Sequence, residues 1–324
     1  MNRKDNITKD FKEKMFMKKF IKKIMAIATV GVLSVACFSG CGSTATSTGS
    51  EGSTAVTASG SDEALTLDAI KAKGKLSVAT EAAYEPFEYM EGDEIVGYNA
   101  DLFHKIADDL GVELDYQDLP FQGILAGLDA KKYDMVGATL GITAERAAKY
   151  TMTYPVERGT NVFLKRKGDD SIKTIEDMNG KVVGTQTACY NETDTKAYNE
   201  KLKSEGKEGY TELKTYDSFP EAYMELKNGQ IDLVAQNYAS ASAIVMKNPD
   251  DYEIIKDANG QAVMVGDEET WLGWAVRKQD TELSDYINSE IKKFKEDGTL
   301  AELQKKWFGE TVNNLPESNY VRNN

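Results

Sequence analysis

Apolar residues along the chain fall into two rhythms. Short runs rich in β-branched residues, Leu76 to Thr80, Val112 to Gln117, Met135 to Leu140, Asn161 to Lys165, Lys181 to Gln186 and Ile231 to Gln236, read as strands. Between them the spacing turns helical. Leu102, Phe103, Ile106, Ala107 and Leu110 share one face of a helix from Asn99 to Leu110, with Gly111 as its C-terminal stop. A second helix is expected from Phe121 to Ala130. Later, Leu283, Ile287, Ile291 and Phe294 mark one helical face closed at Gly298, and Leu300, Leu303 and Trp307 bury the last helix. Strands alternating with helices predict α/β architecture with doubly wound parallel sheets, whose ligand groups gather at the carboxyl ends of the strands.

Local signals sharpen this outline. Thr143 can cap a helix that begins just after a strand, and Thr174 with Asp177, Ser218 with Glu221 and Thr299 with Glu302 have capping-box spacing. A helix runs into a strand through Asp134 in KKYDMVGAT and again through Asp232 in NGQIDLVAQ, so the pattern describes two similar α/β lobes. Trp271 to Lys278 reads as the strand that returns the chain to the first lobe. The expected division is a signal at 1–40, a flexible linker at 41–63, lobe 1 at 64–158 and 264–315, lobe 2 at 159–263 and a loose tail at 316–324.

The N-terminus sets the compartment. Residues 1–23 hold nine Lys or Arg against three Asp or Glu, and an uncharged apolar run from Ile24 to Phe38 follows. That is the n-region and h-region of a secretory signal, too short for a spanning helix. Met17 is an alternative start. The run ends in FSGC, which resembles a bacterial lipobox with Phe38 where Leu is usual. Cys41 is therefore the expected site of lipid attachment, palmitate-type acylation included, and Cys37 the weaker candidate. Residues 42–61 are almost wholly Ser, Thr, Gly and Ala, a composition that behaves as a tether.

Composition excludes several functions. The 324-residue chain carries a net charge of −14, and removing the signal leaves 30 basic against 50 acidic residues, about −20. No basic patch for nucleic acid is expected. With Cys37 removed and Cys41 lipidated, Cys189 stands alone, which excludes a disulfide framework. One histidine, His104, and no cysteine pair argue against a nitrogen/sulfur metal site, and His104 is read as structural. No P-loop motif is present, so the chain does not hydrolyse ATP itself.

The stretch Ala138 to Arg146, ATLGITAER, carries the candidate chemistry. Arg146 falls in the first turn of the helix capped by Thr143, where a cation opposes the helix dipole and an anion would offset it. Backbone N–H groups from Gly141 to Thr143, the Thr139 hydroxyl and the guanidinium fork could together receive a carboxylate.

Five motifs in order, GYNADLFHKIADDLG, PFQGILAGLDAKKYDMVGATLGITAER, GKVVGTQTACY, AYMELKNGQIDLVAQN and DGTLAELQKKWFG, resemble the extracellular solute-binding proteins (family 3) that serve ABC importers of polar amino acids. The similarity runs from about Leu65 to Gly309. It implies two lobes joined by two strand crossovers and closing on an amino acid by hinge motion, with no cofactor, acting as a monomer beside a permease and its ATPase. It places the ligand carboxylate on Arg146, the Thr139 hydroxyl and the Gly141 amide, and the ammonium on the Ala138 carbonyl. Tyr84 packs over the ligand side chain, and Phe87 lines the same loop.

Three departures from the family pattern bear on the ligand. Ala188-Cys189-Tyr190 stands where a Gly-Thr-Thr-like turn is usual, so a thiol replaces a hydroxyl while backbone amides can still serve. Asn237 replaces the Asp that pairs with the α-ammonium, leaving Glu81 or Glu268 as substitutes, and Asn237→Asp is expected to strengthen binding of α-amino acids. Asn99 and Ala100 depart at a helix start and read as structural. Two other roles stay open: an exported dehydratase using Glu81, Glu88 or Glu268 as general acid, and a sensor signalling to a membrane receptor.

Overall fold

The computed structural model describes residues 63–265, 270–312 and 314–316. The predicted signal, Cys41, most of the linker and Glu268 lie outside them.

From Glu63 the chain forms α1 (Leu67–Lys73), β1 (Lys75–Thr80), a small sheet of β2 (Ala83–Tyr84), β3 (Glu88–Glu91) and β4 (Glu94–Val96), then α2 (Tyr98–Leu110), β5 (Glu113–Asp118), α3 (Ile124–Asp129), β6 (Met135–Gly141), α4 (Ala144–Lys149), β7 (Tyr150–Met152) and β8 (Glu157–Arg158). A second set follows: β9 (Asn161–Arg166), a 3-10 turn at Ile175–Met178, β10 (Val182–Gln186), α5 (Tyr190–Ser204), β11 (Glu212–Tyr216), α6 (Phe219–Lys227), β12 (Leu233–Asn237), α7 (Tyr238–Lys247), β13 (Tyr252–Ile254) and β14 (Met264–Val265). The chain ends with β15 (Trp271–Arg277), α8 (Thr281–Glu296) and α9 (Thr299–Phe308).

The two large sheets share one plan. The first runs β5-β1-β6-β15-β7 with β8 on β15, and the second β11-β10-β12-β9-β13 with β14 on β9. In each, three parallel strands are closed by an antiparallel one, β15 against β6 and β9 against β12. The parallel core expected from sequence is present in both sheets, and the one strand that closes each is antiparallel because it arrives from the other lobe and enters in the reverse sense. Trp271 and Leu272 of β15 pair with Arg158 and Glu157 of β8, so the two crossovers lie side by side.

Asp134 and Asp232 have the same job in the two lobes. The Asp134 N–H donates to Ser77 O at 2.9 Å and its Oδ2 accepts from Ser77 N at 2.8 Å. Asp232 repeats the pair on Val182, at 2.8 and 2.9 Å. Each aspartate thereby ties the start of the third parallel strand to the central one.

Caps follow the sequence in part. Thr143 accepts from Arg146 N, and the Thr174/Asp177 capping box forms. The other two boxes do not. Ser218 makes no side-chain cap, and Glu221 instead accepts from Asp217 N at 3.1 Å. Gly298, left-handed at φ 87°, caps α9, so Thr299 is already helical and its N–H donates to Asp297. Gly123, also at φ 87°, delays α3 to Ile124, shortening the helix expected from Phe121. Trp274 and Phe103 pack at 4.3 Å in the largest core cluster. Trp307 is only half-buried, its indole N–H on Asp101 at 2.7 Å, and His104 faces outward.

Candidate functional site

The carboxyl ends of the parallel strands from both sheets converge. Glu81 follows β1, Thr139 and Gly141 end β6, Gln186 ends β10, and Gln236 and Asn237 end β12. Glu81, Thr139 and Gln186 line a cavity of about 10 Å³ together with Tyr84, Glu88, Phe121, Cys189, Tyr190, Asn191 and Phe219. That is room for one water. Contacts cross between the sheets. Gln186 Nε2 donates to both Glu81 oxygens at 2.8 Å, and Tyr84 Oη donates to Gln236 Oε1 at 2.9 Å. Tyr84 also packs on Phe219 of the second lobe at 5.4 Å. The described lobes are thus closed on each other.

Two carboxylates share this cavity. Glu88 is 1 % exposed and accepts from Thr139 N at 2.8 Å, Thr139 Oγ1 at 3.0 Å and Asn99 Nδ2 at 2.7 Å. Burial nevertheless pushes its pKa up to about 8, and Glu81 adds to the rise. Glu81 is pushed up to about 7, again mainly by burial, against the bond from Gln186. Among the described residues, neither has a Lys or Arg at ion-pair distance.

Arg146 sits on the other side of Tyr190. It is half-buried in an adjoining pocket of about 360 Å³ with Thr143, Ala188, Cys189 and Tyr190. Its guanidinium donates to Gly141 O at 2.9 Å and to Ala188 O at 3.1 Å, across the lobes. Burial pulls its pKa down, and both of its described partners are neutral carbonyls.

The sequence-predicted residues separate into groups. Thr139 and Tyr84 line the cavity, and Arg146 lines the outer pocket. Gly141 accepts from Arg146 and backs onto Tyr190; a Cβ there would meet Tyr190 Cβ at 2.5 Å. Ala138 is buried on β6. Phe87 is fully buried behind Tyr84, against Tyr98 and Phe308, and does not line the cavity. Ala188 lies at the outer pocket. The Cys189 thiol points inward, donating to Gln186 O at 2.9 Å, and burial pushes its pKa to about 11.

Asn237 is used within the protein. Its Oδ1 caps α7 by accepting from Ala239 N, and its Nδ2 donates to Arg158 O at 3.1 Å and Tyr190 Oη at 3.2 Å. A carboxylate there would face the Arg158 carbonyl. Asn99, read as structural from its helix-start position, is part of the Glu88–Thr139 network. Gln186 and Gln236 were missed, though KVVGTQ and IDLVAQ both end an apolar run in Gln. Among the described residues no cluster of His, Cys, Asp or Glu is placed to hold a metal.

Two mixed α/β sheets closing their strand ends over a polar cavity, with paired crossovers between them, define a two-lobed binding protein. The chain belongs to the bacterial extracellular solute-binding proteins, family 3, whose sequence profile matches residues 76–310. It is 31 % identical over 253 residues to the L-cystine-binding protein TcyJ of Escherichia coli (strain K12), spanning 78 % of this chain and 88 % of that protein. It is 32 % identical over 243 residues to the arginine-binding extracellular protein ArtP of Bacillus subtilis (strain 168), spanning 73 % and 87 %. An ancestral arginine-binding protein bound to arginine superposes with a TM-score of 0.63 at 35 % identity, over 73 % of this chain and 99 % of that one.

Proposed function

We propose that the protein captures a cationic amino acid outside the cytoplasm and hands it to an ABC permease and its ATPase. The observation that carries this reading is the charge layout of the cleft: two buried carboxylates, Glu81 and Glu88, on one side of Tyr190 and the Arg146 guanidinium on the other. An α-carboxylate replaces the Gly141 and Ala188 carbonyls on Arg146, with the backbone at Gly141 and Cys189 completing its shell, while Thr139 stays on Glu88. Ala138 offers its carbonyl to the ammonium. Tyr84 covers the side chain, with Phe87 behind it. A cation between Glu81 and Glu88 is stabilised by both, as charge-assisted bonds in a dry site are. Ligand contacts to both lobes favour the closed state over the open one.

The domain division expected from sequence fits this reading, as does a lipid anchor at Cys41 that tethers the domain to the membrane. Labelling with an alkyne fatty acid, lost on Cys41→Ala, tests the anchor. The ligand class is tested by melting the purified protein against a panel of amino acids. A ligand at 100 times its dissociation constant adds about 2.7 kcal/mol of stability, so arginine or lysine raises Tm and aspartate or glutamate does not. Glu88, holding its proton near neutral pH, also meets one requirement of a general acid, which gives a dehydratase reading its support. Turnover of prephenate or arogenate would establish it; on the binding reading neither is consumed.

A further inference from the structure

Tyr190 lines both compartments, the cavity that holds Glu81 and Glu88 and the outer pocket that holds Arg146. Its side chain is 97 % removed from solvent, packed on Gly141 of the opposite lobe. Its hydroxyl is held by Asn237 Nδ2 at 3.2 Å, and the same amide reaches Arg158 O on the crossover strand β8 at 3.1 Å. The turn that delivers it is strained. Ala188 has φ +62°, a left-handed conformation disfavoured for any residue with a Cβ. Its carbonyl accepts from Arg146 at 3.1 Å and its N–H donates to Glu192 at 2.8 Å, so an anion arriving at Arg146 competes with the bond that fixes the turn.

Resting on the reading above, we propose that Tyr190 is the specificity-determining partition of the cleft, held in place by Asn237 as a positioning residue. The cavity at Glu81 and Glu88 has room for one water with the lobes closed, so the lobes part to admit a ligand, and a bound amino acid then runs past the ring with its carboxylate at Arg146 and its far end at Glu81 and Glu88. A long, unbranched cationic side chain satisfies both compartments. A short one anchored at Arg146 reaches neither carboxylate, and a bulky one does not pass the ring. Two departures from the family pattern, Tyr190 and Asn237, thus meet in one hydrogen bond.

The test is titration calorimetry of the purified protein and its variants Tyr190→Phe, Tyr190→Leu and Tyr190→Ala with L-arginine, L-histidine and L-alanine. The wild type is expected to prefer arginine over the other two by roughly tenfold or more, Tyr190→Phe, which keeps the ring but loses the bond to Asn237, to show an intermediate preference, and Tyr190→Leu and Tyr190→Ala to shrink it to about twofold. Asn237→Ala falls between. Tyr190→Leu retains bulk and apolar character, so it reports even where the alanine variant does not fold. An unchanged preference in a folded Leu or Ala variant overturns the partition, as does loss of all binding, which would make Tyr190 a simple ligand contact. A wild type that binds none of the three refutes the binding reading itself, independently of the variants.

Discussion

Gln186 Nε2 lies 2.8 Å from each carboxylate oxygen of Glu81, bringing together residues 105 positions apart in the chain. One donor shared between two oxygens leaves most of the carboxylate's accepting capacity unused. Glu81→Gln is therefore expected to weaken L-arginine binding by roughly tenfold to a hundredfold, the range of a lost charge-assisted bond of about 1.5–3 kcal/mol, measured by calorimetry. The same substitution leaves the ligand-free Tm unchanged or higher, because a buried carboxyl raised to about 7 is replaced by a neutral group. Equal affinity in the variant would remove Glu81 from the ligand site.

Binding should strengthen as pH rises. Glu81 and Glu88 have folded-state pKa values near 7 and 8 against an ordinary 4.5. A raised carboxyl contributes stability that is fully present below pH 4.5 and is lost as pH rises through its folded value, because the folded chain keeps a proton that the unfolded chain has released. A cation between the two reverses the cost of ionisation and expels the protons. Affinity for arginine accordingly climbs between about pH 6 and pH 8 and levels off above, with proton release visible as a dependence of the binding enthalpy on the buffer. A flat profile would mean that neither carboxyl titrates with the ligand.

Arg146→Ala should abolish detectable amino-acid binding while sparing the fold. Among the described residues the guanidinium donates to two backbone carbonyls and pairs with no carboxylate, so its removal strands acceptors that water can reach at the outer pocket. Calorimetry with arginine reads the loss, and a melting curve within a few degrees of wild type separates it from unfolding. Retained affinity would place the ligand carboxylate elsewhere.

Asn237→Asp should destabilise without improving binding. The carboxylate keeps the cap on α7, yet it cannot donate to Arg158 O and sets a charge against that carbonyl. A loss of about 1–3 kcal/mol is expected from denaturant melts, the cost of an unsatisfied buried polar group. A gain in affinity for any α-amino acid would restore the role that Asp has in the family pattern.

Much of this fold was legible because strand and helix periodicities differ so plainly here, and because Asp134 and Asp232 mark the same junction twice. The antiparallel strands β9 and β15 were not, since an apolar run such as Trp271 to Arg277 has no direction in its pattern. Capping boxes at Ser218 and Thr299 failed where a neighbouring residue, Asp217 or Gly298, offered a competing arrangement. In the cleft, Arg146, Thr139 and Tyr84 could be read from motifs. The Tyr190–Asn237 bond and the Glu88–Asn99–Thr139 network join distant positions, and no local spacing encodes them.

The most direct test of the account compares L-arginine with L-citrulline, which has nearly the same shape and no side-chain charge, by calorimetry on the purified protein at pH 8. The two buried carboxylates predict that arginine binds tighter by roughly tenfold or more. Equal affinities for the two would contradict the assignment of Glu81 and Glu88 as the cation's receptor.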